Sequence, residues 1–279
     1  MREIRQRILA GTNISLPLTV SFITWVGYNM GIKVFWTCKI WRLRPNRAVS
    51  CILALIPVIF SFGFAGSGRC ASSHQGEKII YAISPVGRAE YNDLGTAVLE
   101  GHTVRLCTFK TRAMGFDDTE KIYSDPESGM PLRVERNISY WLSKEHIVEE
   151  YDQKNFILTV TKSVKGKKQE RVVFKGDGPI HNAILLPFSL RQVSDLKVGW
   201  TATVRFPLKF EVRLDSMREI ETSAGKFRTY HFTSNPNKFE IWISQDALRL
   251  PLKIKGAGGL GYTLIMGSYK KGSGILDGK

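Results

Sequence analysis

The stretch V-R-F-P-L-K-F-E-V-R-L, Val204 to Leu214, places Val204, Phe206, Leu208, Phe210, Val212 and Leu214 in strict alternation with Arg205, Pro207, Lys209, Glu211 and Arg213. A period of two belongs to a strand, and one greasy face opposite one charged face is the pattern of a half-buried antiparallel strand. Pro207 has no N–H to give a ladder, so this strand is expected at a sheet edge, or with a bulge at that residue.

The same theme recurs outward from this stretch. Phe156, Leu158 and Val160; Phe239, Ile241 and Ile243; Leu250, Leu252 and Ile254; and Tyr262, Leu264 and Met266 repeat the same spacing of two. Turn chemistry separates them at 152–155, 165–168, 223–226 and 256–259. Short alternating strands at close intervals predict an all-β fold, an antiparallel meander forming a curved sheet, open barrel or sandwich. The exception is Asp177 to Val193, read as one short helix or lid lying across the sheet opening. There Asp177 is placed to cap, Pro179 to take the first helical position, and Pro187 to interrupt.

The first 71 residues read as a leader. Arg42, Arg44 and Arg47 run into the uncharged apolar stretch Ala48 to Gly66, with small residues at Ala65 and Ser67, which is the layout of an export signal. Cleavage after Ser67 is the leading expectation, with a retained membrane anchor or a lipid-bearing Cys70 as the alternatives. Translation from Met30 would turn Lys33 to Arg47 into one basic lead-in, leaving the apolar stretch Ile14 to Val26 outside the product. The β-rich domain is expected over 72–269, outside the cytoplasm in the periplasm or outer envelope, and 270–279 as a flexible tail. An uncleaved leader would instead hold the domain at the inner membrane, with contact through the N-terminal segment.

The chain carries 40 basic and 25 acidic residues among its 279. Residues 1–71 hold nine of the basic ones against Glu3 alone, so the exported part has 31 basic and 24 acidic residues. That surplus is spread over many strands, which argues against a nucleic-acid partner and leaves a mild attraction to anionic lipid. Cys107 has only Cys70 as a conceivable partner beyond the leader, and is otherwise a buried thiol.

Chemistry-bearing motifs are sparse. Gly256 to Gly261 satisfies G-x-G-x-x-G, but a strand follows it where a dinucleotide site needs a helix, so it reads as a hairpin turn. Ser223-Ala-Gly-Lys226 satisfies S-x-x-K in a turn instead of on a helix. The five histidines fall in separate segments without metal-ligand spacing. Asp117-Asp118 and Glu149-Glu150 are adjacent carboxylates, read as solvated loop or strand-end charges because neighbours on a strand face opposite ways. No catalytic set, metal site or cofactor is expected, and the ligand-binding residues are left open.

From Glu240 the chain reads E-I-W-I-S-Q-D-A-L-R-L-P-L-K. With Gly225-Lys-Phe227, Leu196-Lys-Val-Gly199, Ile79-Ile-Tyr81 and Gly87-Arg-Ala89, this resembles the bacterial domain-of-unknown-function family 3108, through Trp242, Ser244, Asp246, Arg249, Pro251 and Lys253. The resemblance implies a secreted, β-rich envelope protein without an established activity. Read physically, Trp242 and Ser244 share a strand face, and Asp246 with Arg249 is expected to bridge the corner before Pro251.

Three functions follow as expectations. The leading one is non-catalytic binding or carriage of an apolar ligand, a lipid or acyl chain sheltered by the curved sheet under the Asp177 to Val193 lid. The second is an envelope enzyme or polysaccharide-processing accessory with His181 and His231 gathered beside a carboxylate. The third is a structural or assembly partner of another envelope protein through an exposed apolar patch.

Overall fold

The structure, a computed structural model, describes residues 75–141, 143–256 and 262–272. The leader, the 257–261 part of the glycine-rich turn and residues 273–279 lie outside them. The described residues form one antiparallel sheet of fourteen strands with the order β8-β7-β6-β5-β4-β3-β2-β1-β14-β13-β12-β11-β10-β9. Its first meander runs through β1 (Lys78–Ser84), β2 (Arg88–Leu99), β3 (His102–Ala113), β4 (Phe116–Ser124), β5 (Pro131–Tyr140), β6 (Ser143–Asp152), β7 (Ile157–Val164) and β8 (Glu170–Lys175). The second comprises β9 (Thr201–Arg205), β10 (Lys209–Thr222), β11 (Gly225–Asn235), β12 (Phe239–Ser244), β13 (Pro251–Gly256) and β14 (Tyr262–Lys270). Pairing of β1 with β14 joins the halves, so the chain folds back to set its last strand beside its first. β14 takes in Lys270, the first residue of the expected tail.

The Val204 to Leu214 stretch is two strands, not one. The chain turns at Phe206-Pro207-Leu208, where the Phe206 N–H donates to the Leu208 carbonyl at 2.9 Å, and Arg205 pairs with Lys209 across the hairpin. Pro207, having no N–H, takes the turn instead of a ladder position, and β9 is the sheet edge. Alternation survives on both sides, with Val204, Phe206, Phe210, Val212 and Leu214 buried. Leu208, at the turn, is 63 % exposed.

Residues 176–200 link β8 to β9 as a strap across the concave face. Its one helix, α1 (Leu186–Leu190), begins with Pro187 in the first turn, so Pro187 starts the helix that it was expected to interrupt. Asn182, not Asp177, organises the entry: its Oδ1 accepts from the Ile184 and Leu185 N–H groups at 2.9 and 3.2 Å. Asp177 instead pairs with Arg205 at 2.5 Å, and the His181 N–H donates to the Arg205 carbonyl at 2.8 Å. The strap thereby occupies the seam between the two edge strands.

The interior is filled. Ile180, Ile184 and Leu185 of the strap pack into the core built on β1–β7, β13 and β14. Leu186, Leu190 and Leu196 pack into the second core, with Phe210, Val212, Phe232 and Ile241. The strap lies against both cores and leaves the sheet open, with β8 and β9 not paired to each other, and its own aliphatic side chains take the space in which a ligand was expected to shelter. Close packing leaves a cavity of only about 30 Å³ beside it, room for about one water.

Candidate functional site

The family-like segment lies where the strap ends. Ser244 closes β12, and its Oγ donates to Asp246 Oδ1 at 2.9 Å and accepts from the Leu250 N–H at 2.8 Å. Asp246 Oδ1 also accepts from the Leu248 and Arg249 N–H groups at 3.0 and 3.1 Å, an Asx-type corner. Asp246 is therefore occupied with backbone, and the expected Asp246–Arg249 side-chain bridge gives way to a longer reach. The Arg249 guanidinium donates through Nη1 to the Val193 carbonyl, with the Arg191 carbonyl 3.5 Å away, and lies 5.8 Å from the centre of the Tyr230 ring. Arg249 itself sits at φ +47°, in the left-handed region.

Arg191 completes this latch from the strap side. Its Nη1 donates to both carboxylate oxygens of Glu77 at 3.0 and 2.8 Å, and its Nη2 to the Leu248 carbonyl at 2.7 Å. Both side chains are at most 2 % exposed, so each charge depends on the other for compensation. Pro251 contributes its carbonyl, which accepts from the Tyr81 hydroxyl at 3.0 Å. Corner, strap and first strand are thus tied together by charge-assisted bonds from two arginines.

Trp242 shares the face of β12 with Ser244, opposite the core residues Ile241 and Ile243. It stacks on His231 with ring centres 4.4 Å apart and planes at 15°, under Lys253 Nζ at 4.7 Å. His231 Nε2 is 2.8 Å from Glu240 Oε2 and its Nδ1 3.2 Å from Ser216 Oγ. Burial holds this imidazole below its ordinary pKa, against the bond from Glu240. The trio has relay-like distances, yet Glu240 is also ion-paired to Lys255 at 3.0 Å, and the half-buried Ser216 Oγ also accepts from Arg218 Nη2 at 2.9 Å.

His181 has different surroundings, so the two histidines are not one site. It lines the small cavity with Glu149, Tyr151 and Asn182 and accepts through Nδ1 from the Arg205 N–H at 3.3 Å. Burial, reinforced by Arg205, pushes it down to about 4, so it is neutral at physiological pH. Among the described residues no group of three His, Cys, Asp or Glu is placed to hold a metal.

The sheet wall carries a cluster that the adjacent-carboxylate reading missed. Each pair splits across the wall as period two requires, but the inward members, Asp118 and Glu149, are buried instead of solvated. They surround Arg136 on β5, whose Nη2 donates to Asp118 while its Nε lies 3.3 Å from Glu120 Oε1. The Nε–Glu120 approach is an ionic contact without hydrogen-bond alignment. Three carboxylates facing one guanidinium cannot all stay ionised out of water. Burial, only partly offset by Arg136, raises Glu120 to about 8, and raises Asp118 and Glu149 as well. Chemically this makes a proton store inside the wall, with no space for a substrate beside it. The signal was legible: Val134, Arg136 and Ile138 are in phase on β5, as are Asp118, Glu120 and Ile122 on β4.

Cys107 is buried and free, and burial pushes its thiol up to about 12. The larger concavity, about 780 Å³, opens outward between the β2–β3 hairpin and the 125–130 loop. Its rim is acidic, with Glu100, Asp125, Glu127, Glu150 and Asp152 around Arg133. None of the expected site residues lies in it.

Among known proteins, the family model described as "Protein of unknown function (DUF3108)" matches residues 98–265. The matched span includes the strap and the Trp242 to Lys253 segment, while Ile79 to Tyr81 and Gly87 to Ala89 fall before it. No curated protein matches the chain. A crystal structure of a β-barrel-like protein of domain of unknown function DUF1849 from Brucella abortus aligns at 9 % identity with TM-score 0.44, covering 73 % of this chain and 100 % of that one.

Proposed function

The chain belongs to the family of proteins of unknown function DUF3108, and we propose that it is an exported envelope protein that binds an apolar ligand non-catalytically, its strap holding the ligand's place at rest. The observation that carries this reading is the seating of Ile180, Ile184, Leu185, Leu186 and Leu190, each at most 8 % exposed, between the two cores. The segment that supplies them has a helix of only five residues and is tied at its end by the Arg191 and Arg249 latch.

Magnitudes make an exchange feasible. Five buried aliphatic side chains at roughly 2 kcal/mol each contribute about 10 kcal/mol to strap seating. An acyl chain of about 14 methylenes at ~0.8 kcal/mol each contributes about 11 kcal/mol on burial in the same space. Ligand and strap are then near-equal competitors, and the latch tips the balance toward the strap.

The test is a titration of a fluorescent fatty acid into the full chain and its Arg249→Ala variant, with mass spectrometry of organic extracts from both. Any affinity of the leader is common to the two proteins, so their difference reports the strap. About tenfold tighter binding by Arg249→Ala is expected, from one lost charge-assisted hydrogen bond. Equal affinity, or no saturable binding together with lipid-free extracts, would overturn the reading.

A further inference from the structure

We infer that the hairpin ends β1–β2, β3–β4 and β5–β6 form a docking edge for an anionic phospholipid bilayer, a surface independent of the strap and of any ligand inside. The register brings these three ends together. Arg88 pairs with Arg112 across β2 and β3, and Phe116 with Tyr140 across β4 and β5, so the connections beyond them are neighbours on one rim.

Each connection presents an apolar side chain to solvent: Val86 is 57 %, Met114 73 % and Trp141 86 % exposed. Trp141 is held there by construction. Its Nε1–H approaches the Met114 carbonyl at 3.4 Å, and the indole lies so close to Gly115 that a Cβ at that residue would stand 1.9 Å from Nε1. Gly115, at φ +75°, is the residue that lets the ring lie across the next hairpin's tip. Large side chains on adjacent tips form a patch in place of scattered exposure.

The charge around the patch selects the partner. Arg88, Lys144, Lys165, Lys167 and Lys168 stand at the same end of the sheet, all exposed. Of the carboxylates there, Asp117 is paired with Arg112, Glu145 with Lys162, and Glu90 with Lys78 and Arg88, leaving Glu170 exposed against the four lysines. The opposite ends of the same strands carry Glu100, Asp125, Glu127 and Asp152 around the outward cleft. The first meander is therefore polarised, apolar and basic at one end, acidic at the other. A Trp with Met and Val to enter the headgroup region and lysines to meet anionic lipid are the two ingredients of interfacial binding.

The experiment floats the full chain with phosphatidylcholine vesicles and with vesicles containing phosphatidylglycerol, alongside M114D/W141D and K165E/K167E/K168E. The leader is present in every protein, so differences between variants report the edge. Each variant is expected to partition about tenfold more weakly onto the anionic vesicles than the wild type, and to differ little on the neutral ones. Amide exchange of the wild type is the second readout and depends on no variant folding. Residues 112–117 and 139–145 should be protected by anionic but not by neutral vesicles, with 125–130 unchanged. Variants that float like the wild type, or wild-type protection that is absent or equal on both vesicles, would overturn the inference.

Discussion

Replacing Glu120 by Gln should change how the stability of this protein depends on pH. The carboxyl faces Arg136 from inside the wall, and burial raises its pKa from the ordinary 4.5 to about 8. The folded state therefore keeps a proton that the unfolded chain releases, so stability falls as pH rises from about 4.5 through about 8. His181 acts with the opposite sign: its folded value near 4 against an ordinary 6.5 makes stability rise with pH, but only up to about 6.5. The clean window is therefore pH 6.5 to 8. At about 1.4 kcal/mol per pH unit, Glu120 should remove roughly 2 kcal/mol of stability across it. Burial raises Asp118 and Glu149 too, so their contribution to the pH dependence has the same sign. Glutamine fills the same space without an ionisable proton, so E120Q should lose at least half of that slope and be the more stable protein at pH 8. Guanidinium denaturation of the full chain, followed by tryptophan fluorescence at pH 6.5, 7.25 and 8, measures this. A flat or rising wild-type profile, or an E120Q slope equal to the wild type's, would refute the argument.

Two further substitutions probe the strap's anchors. Glu77→Ala strands Arg191 without a compensating charge in a site at most 2 % exposed, and should cost about 3–5 kcal/mol in denaturant unfolding. A loss under 1 kcal/mol would mean that water reaches the pair. Asn182→Ala removes the oxygen that accepts the Ile184 and Leu185 N–H groups and should cost about 1 kcal/mol. An unchanged midpoint would show that the strap entry is organised by packing alone.

The strands and most of their turns were legible because alternation is local: each burial pattern follows from neighbours two residues apart. Pro207 gave a true warning read one step short, since a residue without an N–H is as much at home in a turn as on an edge. Pro187 misled for the reverse reason; the proline that cannot continue a helix is well suited to beginning one. The latch could not be read at all. Arg249 binds carbonyls of a segment more than fifty residues away, and Asp246, its expected partner, is claimed by the corner's own N–H groups. Arg136 shows the middle case: the phase of charged residues with Val134, Ile138 and Ile122 marks an inward face that the solvated reading of Asp118 and Glu149 passed over, and their meeting across three strands needed the register.

Amide hydrogen exchange over residues 183–193, in the full chain and in Arg249→Ala, tests most directly whether the strap is seated in the interior and held by the corner. The account predicts wild-type protection comparable with the flanking strands, and exchange about tenfold faster once the Arg249 bond is gone. Wild-type exchange as fast as that of the exposed 165–168 turn, or no difference between the two proteins, would contradict it.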